Sequence, residues 1–256
     1  MRTKISQRRK VILGLPRIGV NTCFNIRSPK CDDFEKNQTK EVCDVVLTTF
    51  QLIAQGSTNN MSKEVKGAAY WDERFQAPSY AYGEAPNDFL AWAAPQVKLG
   101  KAVSLCEGEG RNAVYLAKLG FEVTAVDFSS VGLAKAKALA DLHKVTLHYV
   151  VADLKEFQLE NNAWDLVVSV FAQPDAAIRQ RLYAQLGQSL TSGGAFILES
   201  KVSEADSSNR YPGVATLSAD IKPLQIAFSQ QGERELNEGS YHVGMHTTAQ
   251  ILAFKN

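Results

Sequence analysis

Glu107, Asp127 and Asp153 each close a short apolar run, 102–106, 121–126 and 145–152 respectively. Carboxylates so placed accept hydrogen bonds from hydroxyls and amines, or hold a cation. The first of them begins the string Glu107-Gly108-Glu109-Gly110-Arg111-Asn112-Ala113. Gly108 and Gly110 allow a tight turn and the close approach of a ligand. A helix starting there points its free N–H groups at whatever sits in the turn. With Glu107 at the strand tip and Glu109 between the glycines, the turn is acidic.

Two cofactor classes use such a turn. Gly108 to Ala113 satisfies G-x-G-x-x-G/A, the dinucleotide fingerprint, although many glycine-bearing helix starts do the same. A dinucleotide would bring a pyrophosphate, which two adjacent carboxylates repel. S-adenosylmethionine carries no phosphate and presents a sulfonium and an ammonium instead, so the acidic turn favours it. Asp127 follows Gly108 by nineteen residues, the spacing at which an acid meets ribose hydroxyls. Asp153, in Val151-Ala152-Asp153-Leu154, is placed to accept from an exocyclic adenine amine. A nicotinamide fold explains the second acid but not the third. Acids at strand ends also cap helices, yet three at successive strand tips point to a ligand.

The elements that must position these acids alternate. Strands are predicted over 102–106, 121–127, 145–153, 164–171 and 195–200. A helix over 112–119 ends at Gly120, and Ser129 caps the next, with Val131, Ala134, Ala138 and Leu142 as its apolar stripe. Pro174 opens a third helix, with Ile178, Leu182, Leu186 and Leu190 on one face, and Gly193-Gly194 turns into the fifth strand. Segments 231–238 and 247–254 read as a strand pair joined by a glycine-containing hairpin. Strands separated by helices imply right-handed parallel crossovers, hence an α/β doubly wound sheet covered on both faces. In such sheets the ligand crevice lies beyond the carboxyl ends of the strands.

Composition bounds the partners. At 256 residues and 45% hydrophobic the chain suits a globular protein, with no apolar run long enough to span a bilayer. Its charge is uneven: residues 1–60 hold ten Lys/Arg against five Asp/Glu, whereas 61–256 hold eighteen against twenty-two. The larger part is mildly acidic, a poor footprint for nucleic acid. Cys23, Cys31 and Cys43 show no metal-ligand spacing, and no metal is expected. We therefore read 1–60 as a basic N-terminal extension, either a transit segment or residues ahead of a start at Met61. The domain proper is 61–256. Its expected location is cytoplasmic, or organellar if the extension is a transit peptide.

From Tyr70 onward the chain resembles class I S-adenosylmethionine-dependent methyltransferases, in particular the tellurite-resistance and thiopurine methyltransferase-like branch. The resemblance is carried by the segment from Leu105 to Ala113, by Val126-Asp127-Phe128-Ser129, by Val151-Ala152-Asp153-Leu154, by Trp164-Asp165-Leu166-Val167-Val168-Ser169 and by Ser192-Gly193-Gly194. It implies a Rossmann-like, mostly parallel seven-stranded sheet with an antiparallel last strand. It also implies that Glu107, Gly108 and Gly110 contact the methionine end of S-adenosylmethionine and Asp127 the ribose. Asp153 and the neighbouring Ala152 and Leu154 would frame the adenine, Val170 would lie beneath the methionine portion, and Phe128 is a further cofactor-binding residue. Asn112 replaces a glycine common at its position, which narrows the turn. In thiopurine methyltransferase relatives an aromatic segment closes over the cofactor, and Trp71 and Tyr82 have the matching separation; the plainer alternative is packing of a helix on the sheet.

If the sixth strand is parallel, its hairpin to the seventh emerges on the crevice side, where His242 can touch substrate; a lone loop histidine is more commonly structural. No nucleophile elbow is present. The reading is methyl transfer to a small thiol, metalloid or similar nucleophile by in-line displacement, with no assigned catalytic base. The alternatives are an NAD(P)-dependent oxidoreductase and a noncatalytic cofactor-binding module.

Overall fold

The computed structural model describes residues 67–203, 205 and 209–256. The extension over 1–60 expected from the charge pattern, with Cys23, Cys31 and Cys43, lies outside the described residues. Within them, seven strands form one sheet in the order β3-β2-β1-β4-β5-β7-β6. The strands are β1 Lys101–Leu105, β2 Glu122–Asp127, β3 Leu147–Val151, β4 Trp164–Val170, β5 Leu190–Lys201, β6 Gln225–Glu238 and β7 His242–Phe254. All neighbours are parallel until β7, which runs antiparallel to both β5 and β6. Strand order therefore reverses between β1 and β4, which opens a crevice at their carboxyl ends. The expected α/β sheet is the one found.

Side-chain alternation feeds two cores. Ala102, Leu166, Val168 and Ile197 face a layer made by α2 (Asp88–Ala93), α3 (Arg111–Leu119) and α4 (Ser130–His143). Val103, Val167, Phe196 and Leu198 face α5 (Ala176–Tyr183), α6 (Leu186–Ser189) and α7 (Val214–Asp220). A period of two along each strand is what a sheet buried on both sides requires. α1 (Ala68–Phe75) docks on α4, where Ser129 Oγ donates to Asp72 at 2.6 Å, and Ser129 caps α4 as expected by accepting from Gly132 N–H.

Several sequence expectations need correction. The buried face of α4 is Gly132, Leu133, Ala136, Leu139 and Ala140, whereas Leu142 is 69% exposed and Ala134 and Ala138 face solvent. The helix is apolar on most sides, so the face is chosen by close approach: a Cβ on Gly132 would sit 2.9 Å from the Phe75 ring. The stripe drawn through Ile178, Leu182, Leu186 and Leu190 is broken into α5, α6 and the first residue of β5. β5 thus begins ahead of Gly193, not after it. β6 and β7 are longer than expected: the added residues, Ile226, Val243 and Met245 among them, are largely exposed and are held by strand pairing instead of a buried face.

Candidate active site

The carboxyl ends of β1 to β5 and the β6–β7 hairpin enclose a cavity of about 740 Å³. β1 and β4, on either side of the strand-order reversal, both leave the sheet through a non-glycine residue in the left-handed region. These are Cys106 (φ 53°) and Phe171 (φ 51°), and both line the cavity. Such conformations concentrate at functional sites because the surrounding fold must hold them there.

Of the residues expected to hold the cofactor, Trp71, Tyr82, Glu107, Gly108, Asp127, Phe128, Ala152, Asp153, Leu154 and Val170 all line this cavity. Gly110 does not. It is the N-cap of α3 (φ 95°), and a Cβ there would lie 2.7 Å from Ala136. Its glycine character serves helix packing, not the expected ligand approach. Gly108 (φ 62°) lines the wall with the Phe75 ring pressed to within 3.1 Å of where its Cβ would be.

The acidic turn is less negative than its sequence suggests. Glu109 accepts from Ala81 N–H at 2.7 Å and pairs with Lys135, so its charge is used to pin the segment around Ala81. Glu107 points inward. Its Oε1 accepts from the N–H groups of Asn112 (3.0 Å) and Ala113 (2.8 Å), and Ser104 donates to its other oxygen. Burial outweighs these donors and pushes the Glu107 carboxyl up to about 7. The first free N–H groups of α3, where a phosphate would dock, are therefore already capped by the protein's own carboxylate.

Asp127 ends β2 and accepts from Gly108 N–H (2.9 Å) and Ser129 N–H (2.8 Å), fixing the glycine turn against the second strand. Burial raises its pKa against those donors. Asp153 lies two residues past β3 and accepts from Lys155 N–H at 2.8 Å. Asn112, the departure from glycine, accepts from Asn87 N–H at 2.9 Å and so ties the turn to the start of α2. Cys106 faces the cavity with its side chain exposed there; the enclosing walls, then the carboxylates of Asp127, Asp153 and Glu107, push its thiol pKa up.

Trp71 and Tyr82 stand 6.4 Å apart, with Phe75 between them at 5.7 Å and 6.5 Å. Arg74 donates to Tyr82 Oη and sits 3.7 Å over the Tyr241 ring. The aromatic segment is thus a wall of the cavity and not merely packing of a helix on the sheet. His242 lines the cavity at the head of β7, which is where the parallel β6 delivers it. The sequence reading missed Phe75, Phe171, Gln173, Lys201, Tyr211 and Tyr241. Lys201 was accessible to the strand-end rule that found the acids, because it closes β5.

Seven strands in this order with an antiparallel seventh define the Rossmann-like fold of class I methyltransferases. Residues 102–194 match a sequence profile of the methyltransferase domain. Among solved structures, the chain is similar to TehB from Haemophilus influenzae, with a TM-score of 0.58 and 18% identity over 74% of this chain and 67% of that one. It is also similar to the N-methyltransferase NodS from Bradyrhizobium japonicum WM9 in complex with S-adenosyl-L-homocysteine, with a TM-score of 0.57 and 11% identity over 73% and 97%. A protein described in the conversion of a disulfide bond into a thioacetal group during echinomycin biosynthesis gives 0.59 and 16% over 74% and 89%. No curated protein sequence matches the chain.

Proposed function

We propose that this chain is an S-adenosylmethionine-dependent methyltransferase acting on a small molecule. The observation that carries this reading is the Glu107 carboxylate seated on the first N–H groups of α3. A dinucleotide needs those donors for its diphosphate, and it would meet a buried acid instead. A cationic ligand finds there an acid whose ionisation it rewards.

The donor set fits S-adenosylmethionine. Glu107 takes the ammonium of the methionine end, and Asp127, already oriented by Gly108 and Ser129, takes the ribose hydroxyls. Asp153, with Phe128, Ala152 and Leu154, frames the adenine, while Val170 supports the methionine chain. Bound there, the cofactor supplies a methyl group activated by its sulfonium. The protein's task is then alignment and exclusion of water, for which orientation can contribute roughly 7–11 kcal/mol. Trp71, Phe75 and Tyr82 close one side of the cavity against solvent. A cavity of about 740 Å³ shared with a cofactor leaves room for a small acceptor only.

The test is calorimetric titration with S-adenosylhomocysteine and, separately, with NADH. Binding of the first alone is expected. Binding of NADH without S-adenosylhomocysteine would replace this reading by the oxidoreductase one.

A further inference from the structure

We propose that the methyl acceptor is a small acid with an apolar body, its anionic group held by Lys201 and its nucleophilic hydroxyl, thiol or amine facing His242 Nε2. The proposal rests on the methyltransferase reading above and concerns the same cavity.

The His242 ring is held on three sides. It stands directly across the hairpin from Glu238, whose Oε2 is 3.2 Å from Nδ1. The rings of Phe171 and Tyr82 flank it, each with its centroid 4.5 Å away. Glu238 belongs to a buried, charge-balanced group: Arg111 donates to it at 2.7 Å and Asn87 at 2.9 Å, while Arg234 bridges it to Glu199. Burial alone would raise Glu238, but the bonds from His242, Arg111 and Asn87 prevail and hold it at about 2. Glu238 is thus always an acceptor. Nδ1 of His242 must carry the proton, and Nε2 presents a lone pair. The charged groups facing the ring are Glu238 from β6, Lys201 from β5 and Arg111 from α3. Burial lowers the His242 pKa most; Glu238 opposes, and Lys201 and Arg111 add to the lowering. The imidazole is neutral at pH 7 and ready to accept a proton.

Lys201 closes β5, is half-buried and lines the cavity, yet its ammonium has no hydrogen bond or ion pair among the described residues. Gln173 lines the same cavity, and its Nε2 is buried without an acceptor. Two donors lacking acceptors, in a cavity also lined by the rings of Phe171, Tyr211 and Tyr241, call for an anion attached to an apolar body. An anion on Lys201 also removes the charge that depresses His242, so acceptor binding strengthens the base. In the transfer, the nucleophile's electron pair takes the methyl carbon and the pair of the broken carbon–sulfur bond stays on sulfur. The proton leaving the nucleophile passes to Nε2. No oxidant or reductant is needed.

The experiment uses protein loaded with S-adenosylhomocysteine, titrated calorimetrically with benzoate and with benzamide. Benzoate should bind roughly tenfold tighter or more, as expected for an ion pair shielded from water. Lys201→Met should reduce benzoate to the benzamide level with unchanged S-adenosylhomocysteine affinity, and Lys201→Arg should keep the preference. Followed by NMR of ring-labelled protein, the His242 pKa should rise when benzoate binds wild type and stay put in Lys201→Met. Equal affinity for acid and amide, or wild-type benzoate binding by Lys201→Met, overturns the proposal. Failure to bind S-adenosylhomocysteine, read before benzoate is added, overturns the methyltransferase reading and this proposal with it.

Discussion

With the proposed seating of the cofactor ammonium on Glu107, binding would be a proton-coupled event whose size follows from the position of that carboxyl. In the free protein its carboxyl is 7% exposed and titrates at about 7, because burial outweighs three hydrogen bonds. A ligand ammonium settles against the ionised form only, so each binding event at low pH must expel the proton. At pH 6 roughly 0.9 proton should leave per cofactor bound, falling to about 0.5 at pH 7 and about 0.1 at pH 8. Affinity should correspondingly rise about tenfold between pH 6 and pH 8. Calorimetry of S-adenosylhomocysteine in buffers of different ionisation enthalpy reads both quantities. Glu107→Gln should abolish proton release and flatten the pH dependence.

Stability carries the opposite sign. The folded pKa lies above the unfolded value of 4.5, so the free protein is favoured below 4.5 and loses roughly 3 kcal/mol as pH rises to about 7. Glu107→Gln should therefore melt higher than wild type at pH 8 and equally at pH 4. Absence of proton release at pH 6 in wild type, or the same pH dependence in the variant, would refute the coupling.

Further expectations concern the frame around that acid. Asp127→Ala should weaken S-adenosylhomocysteine binding by at least about tenfold and also cost about 1–3 kcal/mol in denaturant melts, because Gly108 and Ser129 lose their acceptor. Gly110→Ala should lower stability by about 1–3 kcal/mol through strain at φ 95° and collision with Ala136, seen as a lower melting temperature. Glu238 works in the acid range: its folded pKa is depressed, so its contribution is full above 4.5 and is lost as pH falls toward about 2. Acid unfolding of Glu238→Gln should lack that loss, with a loss of roughly 3 kcal/mol in wild type. Asp220→Ala should destabilise by about 3–5 kcal/mol, measured by urea unfolding, because it strands the buried Arg179 guanidinium.

The sheet and the acids that line its crevice were legible because both are local. Alternating apolar runs give the strands, and Glu107, Asp127 and Asp153 follow their strands by position alone. Which face of α4 is buried was not legible: a helix rich in alanine has no unique stripe, and the choice was made by Gly132 and Ala136 yielding space to Phe75 and Gly110. The break after Tyr183 was hidden because Leu186 and Leu190 keep a helical spacing while serving a different helix and a strand. The acceptor end was hidden for a different reason. Of its residues only Lys201 closes a strand; Gln173 lies three residues past β4, and His242 reaches the cavity only because the chain returns through the β6–β7 hairpin.

Ala81 is fastened through both of its backbone polar groups. Its N–H is held by Glu109 of the glycine turn, and its carbonyl accepts at 2.9 Å from Ser240 in the hairpin that presents His242. This one residue thus links the glycine turn to the hairpin that carries His242.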